Sequence, residues 1–311
     1  VARILVTGAS GFIGTALCPV LLARGHQVVA GNRRATPTRG ATEGLVVGDI
    51  GPAKDWSGAL AGFDAVIHLA QHAHSASDAM TLAAEPLAVA TLVRAAAASR
   101  LKRLVLISSI KAMGEVTSLG RPFRAPDPPH PQDAYGRTKL ASERAAREAA
   151  EETGLELVII RPTLVYGPSV RANFHALLRL AGSELPLPFK AVRNRRSLIF
   201  LDNLVDLLAI AATHPAAAGQ ILLARDGEDL STPEMIRALA KGLGRRSYLY
   251  RVPGFVWPVL RRVPGLGGKL GPLTLSLQVD DAPTRALLGW TPPIPSAAGL
   301  FATARAFAKR L

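Results

Sequence analysis

Apolar positions follow two rhythms through the first half of this chain. Short runs over residues 4–7, 27–30, 44–48, 65–69 and 104–108 alternate with alanine-rich stretches of helical length over 14–24 and 86–99. That alternation predicts parallel strands joined by crossover helices. Residues 66–69 and 104–107 are apolar almost throughout, as strands are when helices cover both faces of their sheet.

Five prolines, Pro122, Pro126, Pro128, Pro129 and Pro131, crowd into residues 121–131, which therefore read as an ordered loop. Asp133 then caps a helix over 134–153 with Gly154 as its stop, and residues 155–160 form the next buried strand. Past Pro162 the pattern changes. A loop and helix over 167–190 end in a turn at Pro186 and Pro188, followed by a strand over 197–202 and a helix over 203–213. Beyond Asp226 the chain is rich in Pro, Gly and Arg, with helices near 232–243, 282–287 and 297–311, the first capped by Ser231 or Thr232. The expected fold class is α/β: a Rossmann-type doubly wound parallel sheet over 1–165 and 195–225, closed by a smaller carboxy-terminal lobe of 166–194 and 226–311.

Composition narrows the function. With 311 residues, 49% of them hydrophobic, the chain can bury a substantial core. One cysteine, Cys18, excludes an internal disulfide framework and fits a reducing, cytoplasmic location. The amino-terminal residues read as a strand running into a glycine loop, not as a signal peptide. The apolar segment 252–260 is broken by Pro253 and Pro258, so no stable membrane insertion is expected. A net charge of +14 invites a nucleic-acid reading. The arginines come as scattered pairs and aromatics are sparse, which suits polyphosphate ligands and not nucleic acid. His68, His72 and His74 form an HxxxHxH cluster with no Cys or carboxylate arranged to complete it, so no metal site is expected.

Gly8, Gly11 and Gly14 stand between the first strand and the helix beginning near Phe12. Glycines there let the backbone approach a pyrophosphate, which the amides and dipole of the helix start stabilise. Where an acid would close the second strand for NAD, the chain reads Asn32, Arg33, Arg34. Those groups suit the 2′-phosphate of NADP, with NAD the alternative. Tyr135 and Lys139 lie four residues apart on one helix, so both side chains emerge on one face. An ammonium favours the neighbouring phenolate, which makes Tyr135 a candidate acid and base. Ser109, with Ser108 beside it, ends a buried strand where it can hold the reacting oxygen.

Together with Gly48-Asp49-Ile50, His68-Leu69-Ala70, Tyr135 to Lys139 (YGRTK) and Arg161 to Pro168 (RPTLVYGP), these residues make the chain resemble the extended short-chain dehydrogenase/reductase family, in its epimerase/dehydratase branch. The resemblance covers essentially the whole chain. It implies a dinucleotide held by Gly8, Ser10, Gly11, Phe12, Ile13 and Gly14, with Asp49 and Ile50 at the adenine, Leu69, Ala70 and Pro162 flanking the cofactor, and Lys139 on the nicotinamide ribose. It implies Ser109, Tyr135 and Lys139 as the catalytic set. Ser108, Lys111, Asn173 and Arg196 are implied at the substrate, the last two at its diphosphate, and Asp280 near the nucleoside. Residues 108–115, 195–205 and 278–290 look most like a subgroup of bacterial UDP-sugar 4-epimerases and 4-ketoreductases, many relatives of which form homodimers. Departures are Met113 for a tyrosine, Lys111 for a threonine-like residue, Leu87 where an asparagine is frequent, and the missing acid at Asn32. The expected activity is hydride transfer at C4 of a UDP-hexose, as epimerase or ketoreductase. A non-catalytic NADPH-binding scaffold is the alternative, against which both Tyr135 and Lys139 are present.

Overall fold

The computed structural model describes residues 1–70, 79–170, 172–263, 265 and 267–309; side chains 79–81, 172, 173 and 269 lie outside that description. The strands, in chain order, are β1 (Arg3–Thr7), β2 (Gln27–Asn32), β3 (Glu43–Val46), β4 (Ala65–His68), β5 (Arg103–Ile107), β6 (Glu156–Pro162), β7 (Leu164–Tyr166), β8 (Pro186–Leu187), β9 (Leu198–Phe200), β10 (Ile221–Ala224) and β11 (Tyr248–Leu249). The helices are α1 (Gly14–Ala23), α2 (Ala79–Ala98), α3 (Ala134–Thr153), α4 (Ala172–Gly182), α5 (Leu201–Ala211), α6 (Thr232–Gly242), α7 (Val256–Arg262), α8 (Gly267–Thr274), α9 (Ala282–Leu288) and α10 (Ser296–Ala308).

Seven strands form one parallel sheet in the order β10, β6, β5, β4, β1, β2, β3. Its central strands are buried along their length because alternate residues feed two cores. Ile4, Val6, Ile67, Val105 and Ile107 join α1 and α5 on one face. Leu5, Val66, Leu104 and Leu106 join α2 and α3 on the other. A third core gathers Tyr166, Phe174, Phe200, Met235, Leu239, Trp257 and Leu300 in the carboxy-terminal part. There Tyr166 Oη donates to Asp226 Oδ2 at 2.6 Å, and Asp226 Oδ1 accepts from Phe200 N and Asn203 Nδ2. The tyrosine of the RPTLVYGP run is thus a structural strut.

The helix holding Tyr135 follows its local code. Asp133 Oδ1 accepts from Gly136 N at 2.7 Å at the start of α3, and Gly154 closes it at φ 74°. Ser231 and Glu234 form a full capping box on α6. Helices also run through prolines, as α1 does at Pro19, α2 at Pro86 and α8 at Pro272, because a proline removes one amide bond and tertiary packing of the remaining apolar face outweighs that loss.

Candidate active site

The crevice lies at the carboxyl ends of β1, β4 and β5, beside the point where the crossover direction reverses. After β1 the chain turns at Gly8, φ 70°, where an added Cβ would sit 2.8 Å from Ala70 N. At Gly14 it would sit 2.5 Å from Gly8 O. Only glycine fits this cradle, which is followed directly by α1, a helix whose start receives no side-chain cap. Uncapped amides behind a tight glycine bend suit a pyrophosphate, so the residues present fit a dinucleotide. A cavity of about 130 Å³ adjoins it, lined by Ile50, Trp56, His68, Ala70, Glu85 and Val89 among others.

The rim of this cradle differs from expectation. Asn32 is buried, its Oδ1 accepting from Ser10 N at 2.9 Å and its Nδ2 donating to Thr38 Oγ1 at 3.1 Å. Its side chain is spent on fixing the glycine loop and does not stand free for a phosphate. Arg33 and Arg34 are exposed, and Arg33 lies 3.5 Å from Asp49, whose own carboxylate would oppose an added phosphate.

Ser109, Tyr135 and Lys139 come together. Gly136 permits it: a Cβ there would meet Lys111 O at 2.4 Å, so α3 presses against the short turn Ile110–Ala112 that Ser109 caps. Ser109 stands close enough to Tyr135 for its hydroxyl to act on the phenol, pulling its pKa down. Lys139 Nζ lies 5.2 Å from the centre of the Tyr135 ring.

The electrostatics overturn the expectation that the Lys139 ammonium makes the phenol acidic. Lys139 Nζ donates to Glu85 Oε1 at 2.6 Å, with both side chains buried. Burial pushes the Tyr135 phenol up to about 12, the charge of Glu85 pushes the same way, and the Ser109 hydrogen bond pulls it back. Burial also lowers Lys139, while Glu85 opposes that by charge and hydrogen bond. Glu85 escaped the sequence reading, although it is the only charged residue between Ala79 and Val93. Leu87, where an asparagine was looked for, is exposed instead. His68 is fully buried, shares a 2.8 Å hydrogen bond with Thr7 Oγ1, and is held down to about 3 by burial and by Lys139. It is a neutral structural group; His72 and His74 lie outside the described residues.

Ser108 is engaged differently from Ser109. Its hydroxyl donates to Glu143, which also receives a two-pronged contact from Arg161, all three being buried. Lys111 is likewise occupied, at 2.7 Å from Glu115 and 2.6 Å from Asp133, rather than free for substrate. Met113 lies 2.7 Å from Arg161 Nη1 through its sulfur. Arg196 is half-buried, donates to Leu275 O at 3.2 Å, and is lowered to about 10 by burial, with Glu115 opposing. Asp280 accepts from Ala282 N and lies 3.5 Å from Arg124. Pro162 ends β6 opposite Ala224, and Leu69 N donates to Thr7 O. Asn173 falls in α4, with its side chain outside the description.

The chain is 39% identical over 316 residues to a UDP-glucose 4-epimerase of Vibrio cholerae, covering 98% of this chain and 95% of that protein. A solved UDP-N-acetylglucosamine 4-epimerase from Bacillus cereus matches with a TM-score of 0.79 at 19% identity, over 99% of this chain and 100% of that one. A UDP-glucuronic acid 4-epimerase from Bacillus cereus, in complex with NAD, matches at 0.77 and 22% identity, covering 99% of each chain. The family model for the NAD dependent epimerase/dehydratase family matches residues 4–224, and the chain belongs to that family.

Proposed function

We propose that this protein is a nucleotide-sugar 4-epimerase that uses tightly held NAD on a UDP-hexose. The observation that carries the reading is the Ser109, Tyr135 and Lys139 cluster at the mouth of the glycine cradle, supported by the 39% identical relative, itself a UDP-glucose 4-epimerase. NAD is favoured over NADP for two reasons. The side chain of Asn32 is already engaged, and Asp49 faces Arg33. The NAD-bound neighbour points the same way.

NAD, when bound, supplies the acceptor for the C4 hydride and its return. Tyr135 takes the proton of the C4 hydroxyl as the C4–H bond breaks, leaving a 4-keto sugar. It gives the proton back when hydride returns to the opposite face. Ser109 holds the sugar oxygen next to the phenol, and Lys139 positions its ammonium beneath the ring. Arg196, half-buried with its guanidinium donating to the Leu275 carbonyl, is suited to the substrate diphosphate. Pairing of two copies through α2 and α3, where Leu87 is exposed, belongs to the same reading; sedimentation velocity reads it as a doubled mass.

The purified protein should be incubated with UDP-glucose or UDP-galactose and its cofactor, then followed by proton NMR and nicotinamide absorbance. Interconversion without net cofactor consumption is expected. Reduction of a 4-keto sugar with one NADPH consumed per turnover would replace the epimerase by the ketoreductase.

A further inference from the structure

We propose that Glu85 is a positioning residue for proton transfer: its carboxylate pairs with the buried Lys139 ammonium beneath the Tyr135 ring, and its negative charge beside the phenol sets the pH at which the phenol exchanges its proton. The inference rests on Tyr135 being the proton-exchanging group of the reading above.

The geometry is unusual for a helix of this composition. From Ala79 to Val93 every residue but Glu85 is uncharged, and Glu85 is 6% exposed. Burying a lone carboxylate costs several kcal/mol unless a cation meets it closely. Lys139 does so at 2.6 Å from the neighbouring helix, with its side chain 1% exposed. The pair stands at the chemistry and not at the rim, since Lys139 Nζ is 5.2 Å from the phenol ring and Glu85 also lines the cavity beside Ala70.

Two opposing consequences follow from one carboxylate. Without it, burial would drive Lys139 towards its neutral form, so Glu85 preserves the cation. The same negative charge disfavours the phenolate, so Glu85 also restrains Tyr135. Among the described residues, the other groups that face the pair leave this balance to Glu85. His68 on β4 is neutral. Ser109, after β5, is uncharged and acts on Tyr135 in the opposite direction. Asp133 at the start of α3 acts on Tyr135 in the same direction as Glu85 but ranks below it, and is itself held by Lys111. Glu143, one turn beyond Lys139, is paired with Arg161.

The test is an ultraviolet titration of the cofactor-loaded protein, taking the tyrosinate signal that disappears in Tyr135→Phe. In Glu85→Gln the midpoint of that signal should fall by about one pH unit, the scale of removing one nearby like charge. The rising limb of kcat against pH should move with it, while KM for UDP-galactose stays within about twofold. Glu85→Asp, which keeps the charge but withdraws it by one methylene, should fold and show a smaller shift in the same direction. Unchanged midpoints in both variants, or a loss of thermal stability alone, would overturn the proposal. Wild-type protein inert towards every UDP-sugar, with the midpoint still shifted in Glu85→Gln, would sink the epimerase reading and leave the Glu85 role standing.

Discussion

Two buried ion pairs meet on α3, one turn apart, and they are built differently. Glu143 receives Arg161 through two guanidinium nitrogens and Ser108 through a hydroxyl. Lys139 meets Glu85 through one ammonium bond. The first carboxylate is met by fixed, planar donors between α3 and β6, which lock the sheet to the helix. The second joins two groups that can each lose or gain a proton, beside a phenol that must do so. Burial thus serves rigidity in one pair and protonation control in the other.

The contrast can be broken at its rigid end first. Glu143→Gln leaves the Arg161 guanidinium buried without its counter-charge, and an arginine cannot shed its proton. A loss of about 3–5 kcal/mol in urea unfolding is expected, with little dependence on pH between 5 and 8. Lys139→Met removes one ammonium bond where Glu143→Gln breaks a two-pronged one, so the loss in the same unfolding measurement should be smaller, about 2 kcal/mol. A loss as large as that of Glu143→Gln would erase the contrast. Smallest is Asp133→Ala, which removes the α3 cap at an expected cost of about 1 kcal/mol. Burial works against the Asp133 carboxylate, yet Lys111 and the Gly136 amide hold it below the usual carboxylate range. Its contribution is therefore present above the unfolded carboxylate pKa and fades as pH falls through the folded one, a dependence that Asp133→Ala should erase in acid titrations.

The same contrast marks what could be read from sequence. The limits of α3 were legible because their causes are local: an aspartate cap, an alanine-rich body and a glycine in the left-handed region. Tyr135, Lys139 and Ser109 were legible because spacing and strand ends place them. Glu85 was not, since its partner comes from another helix 54 residues away in sequence. Ser108 read as a neighbouring candidate at the substrate for the same reason; the Glu143 contact occupies it instead. Asn32 and Lys111 looked available because Ser10 and Asp133, which engage them, each lie 22 residues away in sequence.

The most direct test of the whole account is exchange between UDP-galactose and UDP-glucose by Tyr135→Phe, measured beside wild type with cofactor content and folding matched. Loss of a positioned acid and base should lower turnover by roughly 10²–10⁴-fold, with nucleotide-sugar binding preserved. A phenylalanine variant that turns over as fast as wild type would remove Tyr135 from the chemistry and contradict the mechanism.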